Sequence, residues 1–79
     1  MKATVVVRPK QGILDPQGEA VETALEHLGF AVSAARVGKV VDLELDANDP
    51  EQARAQVQQM CEQLLANPLM ESFEVEIHG

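Results

Sequence analysis

The side chains able to do covalent chemistry are few here: one cysteine, Cys61, and two histidines, His27 and His78, in 79 residues. A nucleophilic thiol needs a base beside it and an electropositive setting that keeps it ionised. Cys61 falls inside a helical pattern, on the flank of an apolar stripe, which is the setting of a packed, inert thiol. His27 and His78 come at the ends of elements and on polar faces, as solvated residues do. The carboxylates Asp42, Glu44, Glu74 and Glu76 alternate along outward strand faces. They would hold magnesium loosely at most, with no substrate cleft beside them. No Gly-rich phosphate loop is present, and no Cys-x-x-Cys stands in the first loop as a metal carrier would require. Three cations are better placed. Lys10 stands near the first helix start, and Arg36 and Lys39 flank a turn. Helix starts attract anions, but Asp15 already occupies this one, which favours a contact with a partner over an anion site.

Composition narrows the classes further. The net charge is −7, which argues against nucleic acid and against anionic membranes. No apolar run approaches the roughly 20 residues of a membrane span, and no secretory leader is expected. A single cysteine excludes an internal disulfide framework and fits a cytoplasmic location. The length corresponds to one small domain, residues 1–79. A chain this short buries only about 60% of its unfolded surface, so it gains from self-association, and a homodimer is expected.

The elements that position these residues follow from periodicity. Residues 2–9 read as a strand with valine on both faces, so a central one or one whose second face meets another subunit. The stretch Lys10–Gly18 then ends a strand and begins a helix. Gly12 permits a turn, Ile13 and Leu14 are apolar in a loop, Asp15 is suited to cap the helix and Pro16 to open it. The first helix is predicted from Pro16 to about Leu28, with Val21, Ala24, Leu25 and Leu28 on its buried face and Gly29 closing it. A second strand is predicted over Phe30–Val37, a hairpin turn at Gly38-Lys39, and a third strand over Val40–Asp46 with Val41, Leu43 and Leu45 inward. Asp49-Pro50 starts a second helix, striped by Ala53, Val57, Met60 and Leu64. It runs to about Leu65, where Asn67-Pro68 ends it with asparagine in a left-handed turn. The last strand, about Ser72–His78, puts Phe73, Val75 and Ile77 inward. Phe30 and Phe73 are both expected in the core, and Arg8 near Asp42 or Glu74. The order is βαββαβ: an α+β, ferredoxin-like, two-layer domain with an antiparallel sheet and both helices on one face.

Such a fold hosts many functions. Here the residues themselves add a resemblance. Lys10, Gly12-Ile13-Leu14-Asp15-Pro16-Gln17-Gly18, Leu28-Gly29-Phe30, Arg36-Val37-Gly38-Lys39 and Leu64-Leu65-Ala66-Asn67-Pro68 resemble the PurS family, the small subunit of phosphoribosylformylglycinamidine synthase, and the likeness runs from the first strand to the end of the chain. The resemblance implies an accessory role: a homodimer that bridges a glutaminase subunit and a large synthetase subunit and supports ammonia transfer in purine biosynthesis. It implies that ATP and magnesium belong to the large subunit and that this chain binds no cofactor. It marks Lys10, Gly12, Leu14, Asp15, Gln17, Gly18, Arg36, Lys39 and Asn67 as candidate partner-interface residues. From another class, an ACT-type amino-acid sensor shares the element order and would bind its ligand around Gly12 and Asp15.

Overall fold

The valine-rich alternation of Lys2–Pro9 forms the first strand, β1, and it lies at the centre of the sheet in the computed structural model, which describes residues 1–78. Gly79, the last residue of the expected domain, lies outside them. Helix α1 covers Pro16–His27, strand β2 Lys39–Glu44, helix α2 Pro50–Met60 and strand β3 Glu71–His78. The sheet order is β2-β1-β3, antiparallel throughout, with Val5 opposite both Val41 and Val75. The α+β, ferredoxin-like class expected from the sequence holds.

Position N1 is proline in both helices, and in α2 the cap is made as expected: Asp49 Oδ1 accepts the Glu51 N–H at 3.2 Å. Helix α2 continues to Leu65 through a wider, π-wound turn, Cys61–Leu65, closed by Ala66 N donating to Cys61 O at 3.0 Å. The core lies between β1 and α2. Ala3, Val5 and Val7 pack with Val57, Cys61 and Ala66, and Phe73, Val75 and Ile77 of β3 border them half-buried. Among the described residues no charged or polar residue is buried in it.

Three expectations are corrected. Residues 30–37 form no strand, and Gly38-Lys39 is no hairpin turn. Lys39 is already the first residue of β2, opposite Val7. The cause is local. A tight two-residue hairpin needs a left-handed residue, and among the described residues positive φ occurs only at Gly12 (83°) and Gly29 (96°). Gly38 instead lies flat against the end of β1, where a Cβ would collide with the Val7 carbonyl oxygen. The chain therefore runs straight into β2 instead of folding back along it.

The second correction follows from the first. Helix α2 packs on β3, but α1 is carried away from the sheet and has next to no contact with the strands. Its predicted buried face is open: Val21 is 41% exposed and Leu28 73%, and Phe30, expected in the core, is 59% exposed. The result is an arm, α1 plus residues 28–37, set beside a small sheet-and-helix body. Dimensions of 49 × 24 × 14 Å and a radius of gyration of 15.8 Å, against about 12 Å for a compact chain of this length, record the extension. Third, Leu64 faces solvent at 83% exposure, while Cys61 occupies the buried position that the helical pattern put on the flank. No helix among the described residues is long and apolar enough to cross a membrane.

Candidate partner-binding corner

Three chain segments meet where the arm joins the body: the loop after β1, residues 36–38 before β2, and the loop before β3. Polar contacts tie them. Asp15 stands at the N-cap position of α1 with extended backbone, yet its side chain makes no capping hydrogen bond. Its Oδ2 instead accepts the Val37 N–H at 2.8 Å, across 22 residues. That bond, chiefly, with the nearby N–H dipole of Gly18, the Arg36 guanidinium and the N–H of Gln17, holds the Asp15 carboxyl below its ordinary value of 3.8 against a smaller opposing effect of burial. Gly18 explains how the two segments come so close. It is the only buried residue of α1, and a Cβ there would collide with the Ala35 carbonyl oxygen.

Arg36 commits one guanidinium nitrogen to the backbone. Its Nη2 donates to Lys10 O at 2.6 Å and to Ile13 O at 3.4 Å, closing the loop after β1. Lys10 reaches the other way, with Nζ donating to Pro68 O at 2.7 Å and its backbone N to Met70 O at 2.9 Å. Asn67 does not take the left-handed conformation expected of it. Its Oδ1 accepts the Leu69 N–H at 3.0 Å, and its own N–H donates to Glu71 Oε1 at 2.8 Å, so side chains satisfy the turn that glycine would otherwise make.

Six of the nine candidate interface residues line two open cavities near this junction, while Lys10, Gly12 and Gly18 line neither. One, of about 240 Å³, is lined by Leu14, Asp15, Gln17 and Asn67, together with Met70, which periodicity did not single out. The apolar Pro68-Leu69-Met70 run just after a helix stop was the available signal. The other, of about 480 Å³, is lined by Arg8, Arg36 and Lys39 with Gly38 and Val40. Gly12 supplies the left-handed turn between β1 and the arm. Leu14 is 71% exposed and Met70 47%. Arg8 lies 3.8 Å from Glu74, as the strand pattern predicted.

The corner holds no nucleophile and no acid–base pair. Cys61 lies in the core on the far side of β1, and burial, then the Glu62 charge, pushes its thiol upward. Among the described residues, no group of three or more His, Cys, Asp or Glu side chains could hold a metal ion. The corner presents the exposed apolar side chains of Leu14 and Met70 close to the exposed cations Lys10, Arg36 and Lys39.

A family model described as PurS: Phosphoribosylformylglycinamidine (FGAM) synthase matches residues 2–79. The chain belongs to the PurS family. The phosphoribosylformylglycinamidine synthase subunit PurS of Methanocaldococcus jannaschii is 35% identical over 77 residues, covering 96% of this chain and 93% of the relative. The solved structure of Bacillus subtilis PurS superposes with a TM-score of 0.88 at 37% identity, covering 99% of this chain and 98% of that one. A chain in the structure of PurLQS from Thermotoga maritima superposes with a TM-score of 0.84 at 38% identity, covering 95% and 93%. The ACT-type reading draws no support from these comparisons.

Proposed function

We propose that this chain is the non-catalytic small subunit of a phosphoribosylformylglycinamidine synthase in purine biosynthesis. As a cytoplasmic homodimer it bridges a glutaminase and a large ATP-dependent synthetase. The observation that carries the reading is the near full-length likeness to a chain of the PurLQS structure. The absence of a catalytic set at the corner is consistent with it.

ATP and magnesium act on the large subunit, and this chain binds neither. Its physical contribution is to hold two active sites in one assembly. Ammonia released into water is protonated or diffuses away, and joining the sites replaces that loss with a short protected path.

Reconstitution tests the reading. Mixed with its glutaminase and synthetase, the chain should co-elute with both and support glutamine-dependent amidine formation. Omitting it should abolish that coupling. Undiminished glutamine-dependent synthesis without the chain, or no co-elution with either subunit, would refute the proposal.

A further inference from the structure

Half of the six Lys and Arg residues of this acidic chain line one cavity. Arg8, Arg36 and Lys39 reach it from three places: β1, the base of the arm and the start of β2. The cavity holds about 480 Å³, and among the described residues no Asp or Glu lines it, although the chain has 13. Two carboxylates come near these cations from outside. Glu74 lies 3.8 Å from Arg8, but both side chains are exposed, and such a pair is held weakly in water. Asp15 acts on Arg36 through its charge, yet it lines the neighbouring cavity and spends Oδ2 on the Val37 N–H. The backbone bonds of Arg36 run through Nη2, which leaves Nη1 and Nε to donate elsewhere. Lys39 has no ion pair or side-chain hydrogen bond among the described residues.

The cavity also has an apolar wall. Val6 and Val40 stand directly opposite each other in the β1–β2 register, on the sheet face turned away from α2. Val40 is 62% exposed. Pro9 extends this wall, and Gln11 adds an amide. Gly38 contributes backbone alone, since a Cβ there would collide with the Val7 carbonyl oxygen.

Charge and shape select the ligand. A carboxylate has two oxygens in one plane and is satisfied by a single guanidinium fork. Two forks and an ammonium brought in by three segments suit three terminal oxygens and a double charge, which a phosphate monoester carries near neutral pH. The exposed valines suit an ester with an apolar body, and the volume falls within the ~300–1,000 Å³ of small-ligand sites.

We propose that Arg8, Arg36 and Lys39 bind the phosphate of a small organic phosphate monoester, whose body rests on Val6, Pro9 and Val40. Every lining residue belongs to one chain, so the site does not depend on how the chain assembles.

NMR titration of the full chain at about pH 7.5, where the monoester is a dianion, tests the site with phenyl phosphate, inorganic phosphate and benzoate at equal ionic strength. Phenyl phosphate should bind saturably at millimolar concentration or below and shift the amides of Arg8, Gly38, Lys39 and Val40. Inorganic phosphate, which lacks the apolar body, and benzoate, which lacks the third oxygen and second charge, should both bind more weakly. Arg8→Gln should weaken phenyl phosphate by about tenfold or more. Lys2→Gln removes a cation outside the cavity and should change the affinity by less than about twofold. The proposal is overturned by the absence of a saturable shift, by shifts that extend equally to Lys2 and Arg54, or by equal losses in the two variants. Benzoate or inorganic phosphate binding as tightly as phenyl phosphate overturns it as well.

Discussion

The Val37 amide donates to Asp15 Oδ2 at 2.8 Å, and this bond ties the start of α1 to the far end of the arm, 22 residues on. It also carries a pH signature. The folded Asp15 carboxyl lies below its ordinary value of 3.8, because its charged form accepts the Val37 N–H. A depressed folded value means the stabilisation is complete above 3.8 and is lost as the pH falls through the lower folded value. Melting curves recorded from about pH 6 down to about pH 2 should therefore show a steeper acid decline in the parent than in Asp15→Asn, which has no proton to take up. Asp15→Ala, which removes the acceptor, should melt below the parent at neutral pH. Parallel acid limbs in parent and Asp15→Asn would show that the bond does not depend on the charge.

Gly18 and Gly12 should respond to alanine for different reasons. In a helix interior alanine is ordinarily better than glycine by about 1 kcal/mol. At Gly18 the new methyl meets the Ala35 carbonyl oxygen, a backbone group that cannot swing away. Overpacking of this kind costs about 1–3 kcal/mol, so Gly18→Ala should be destabilising in urea melts despite its helix preference. Gly12 faces open space but has φ of 83°. Its alanine variant should lose about 1–2 kcal/mol from backbone strain alone. A stabilised Gly18→Ala protein would mean that α1 does not rest on residue 35.

How much of this was readable in advance divides along the range of the interactions. Strands β1 and β3 and both Asp-Pro helix starts depend on neighbours a few residues away, and the sequence pattern located them closely. The strand expected over Phe30–Val37 failed because pairing needs a free edge within reach, and no local signal reports that Gly38 lies flat against Val7. The amphipathic stripe of α1 says that Val21 and Leu28 want burial, not which chain supplies it. At the corner, Asp15 was legible as an N-cap position, while its true partner, Val37, lies 22 residues on. Met70 and Glu71 were missed because their role appears only when the Asn67 turn folds back onto Lys10.

Cys61 should behave as core. Its side chain is fully buried among valine and alanine, and its thiol is pushed up. Cys61→Ser would place a hydroxyl there without a partner, at a cost of about 1–3 kcal/mol. Denaturant melts should show that loss, while glutamine-dependent activity per folded complex should stay unchanged. Thiol reagents should modify the native chain slowly and the unfolded chain quickly. Loss of activity with stability intact would give Cys61 a role that its burial argues against.

Lys10 and Lys39 should separate stability from assembly. Lys10 Nζ holds Pro68 O at 2.7 Å in an exposed bond, so Lys10→Glu should cost about 0.5–1.5 kcal/mol. Lys39, exposed, forms no ion pair or side-chain hydrogen bond among the described residues. Reversing it should leave the melting point nearly unchanged. Both reversals should reduce recovery of the glutaminase and synthetase on a tagged chain, measured with equal folded protein. Equal recovery with both lysines reversed would remove them from the interface.

Ammonia supplied directly separates coupling from support of the synthetase. The chain alone should hydrolyse neither glutamine nor ATP, since its one thiol is buried and it has no phosphate loop. In the full mixture, added ammonium should remove the requirement for the glutaminase, whose product is then given. If this chain mainly joins two active sites, omitting it should depress glutamine-dependent synthesis far more than ammonia-dependent synthesis, because only the first needs the path between sites. The comparison should be made at a pH high enough to leave a useful fraction of ammonia unprotonated. Equal losses with both nitrogen sources would show that the chain acts chiefly by holding the synthetase in a competent form, and the bridging role would give way to a structural one.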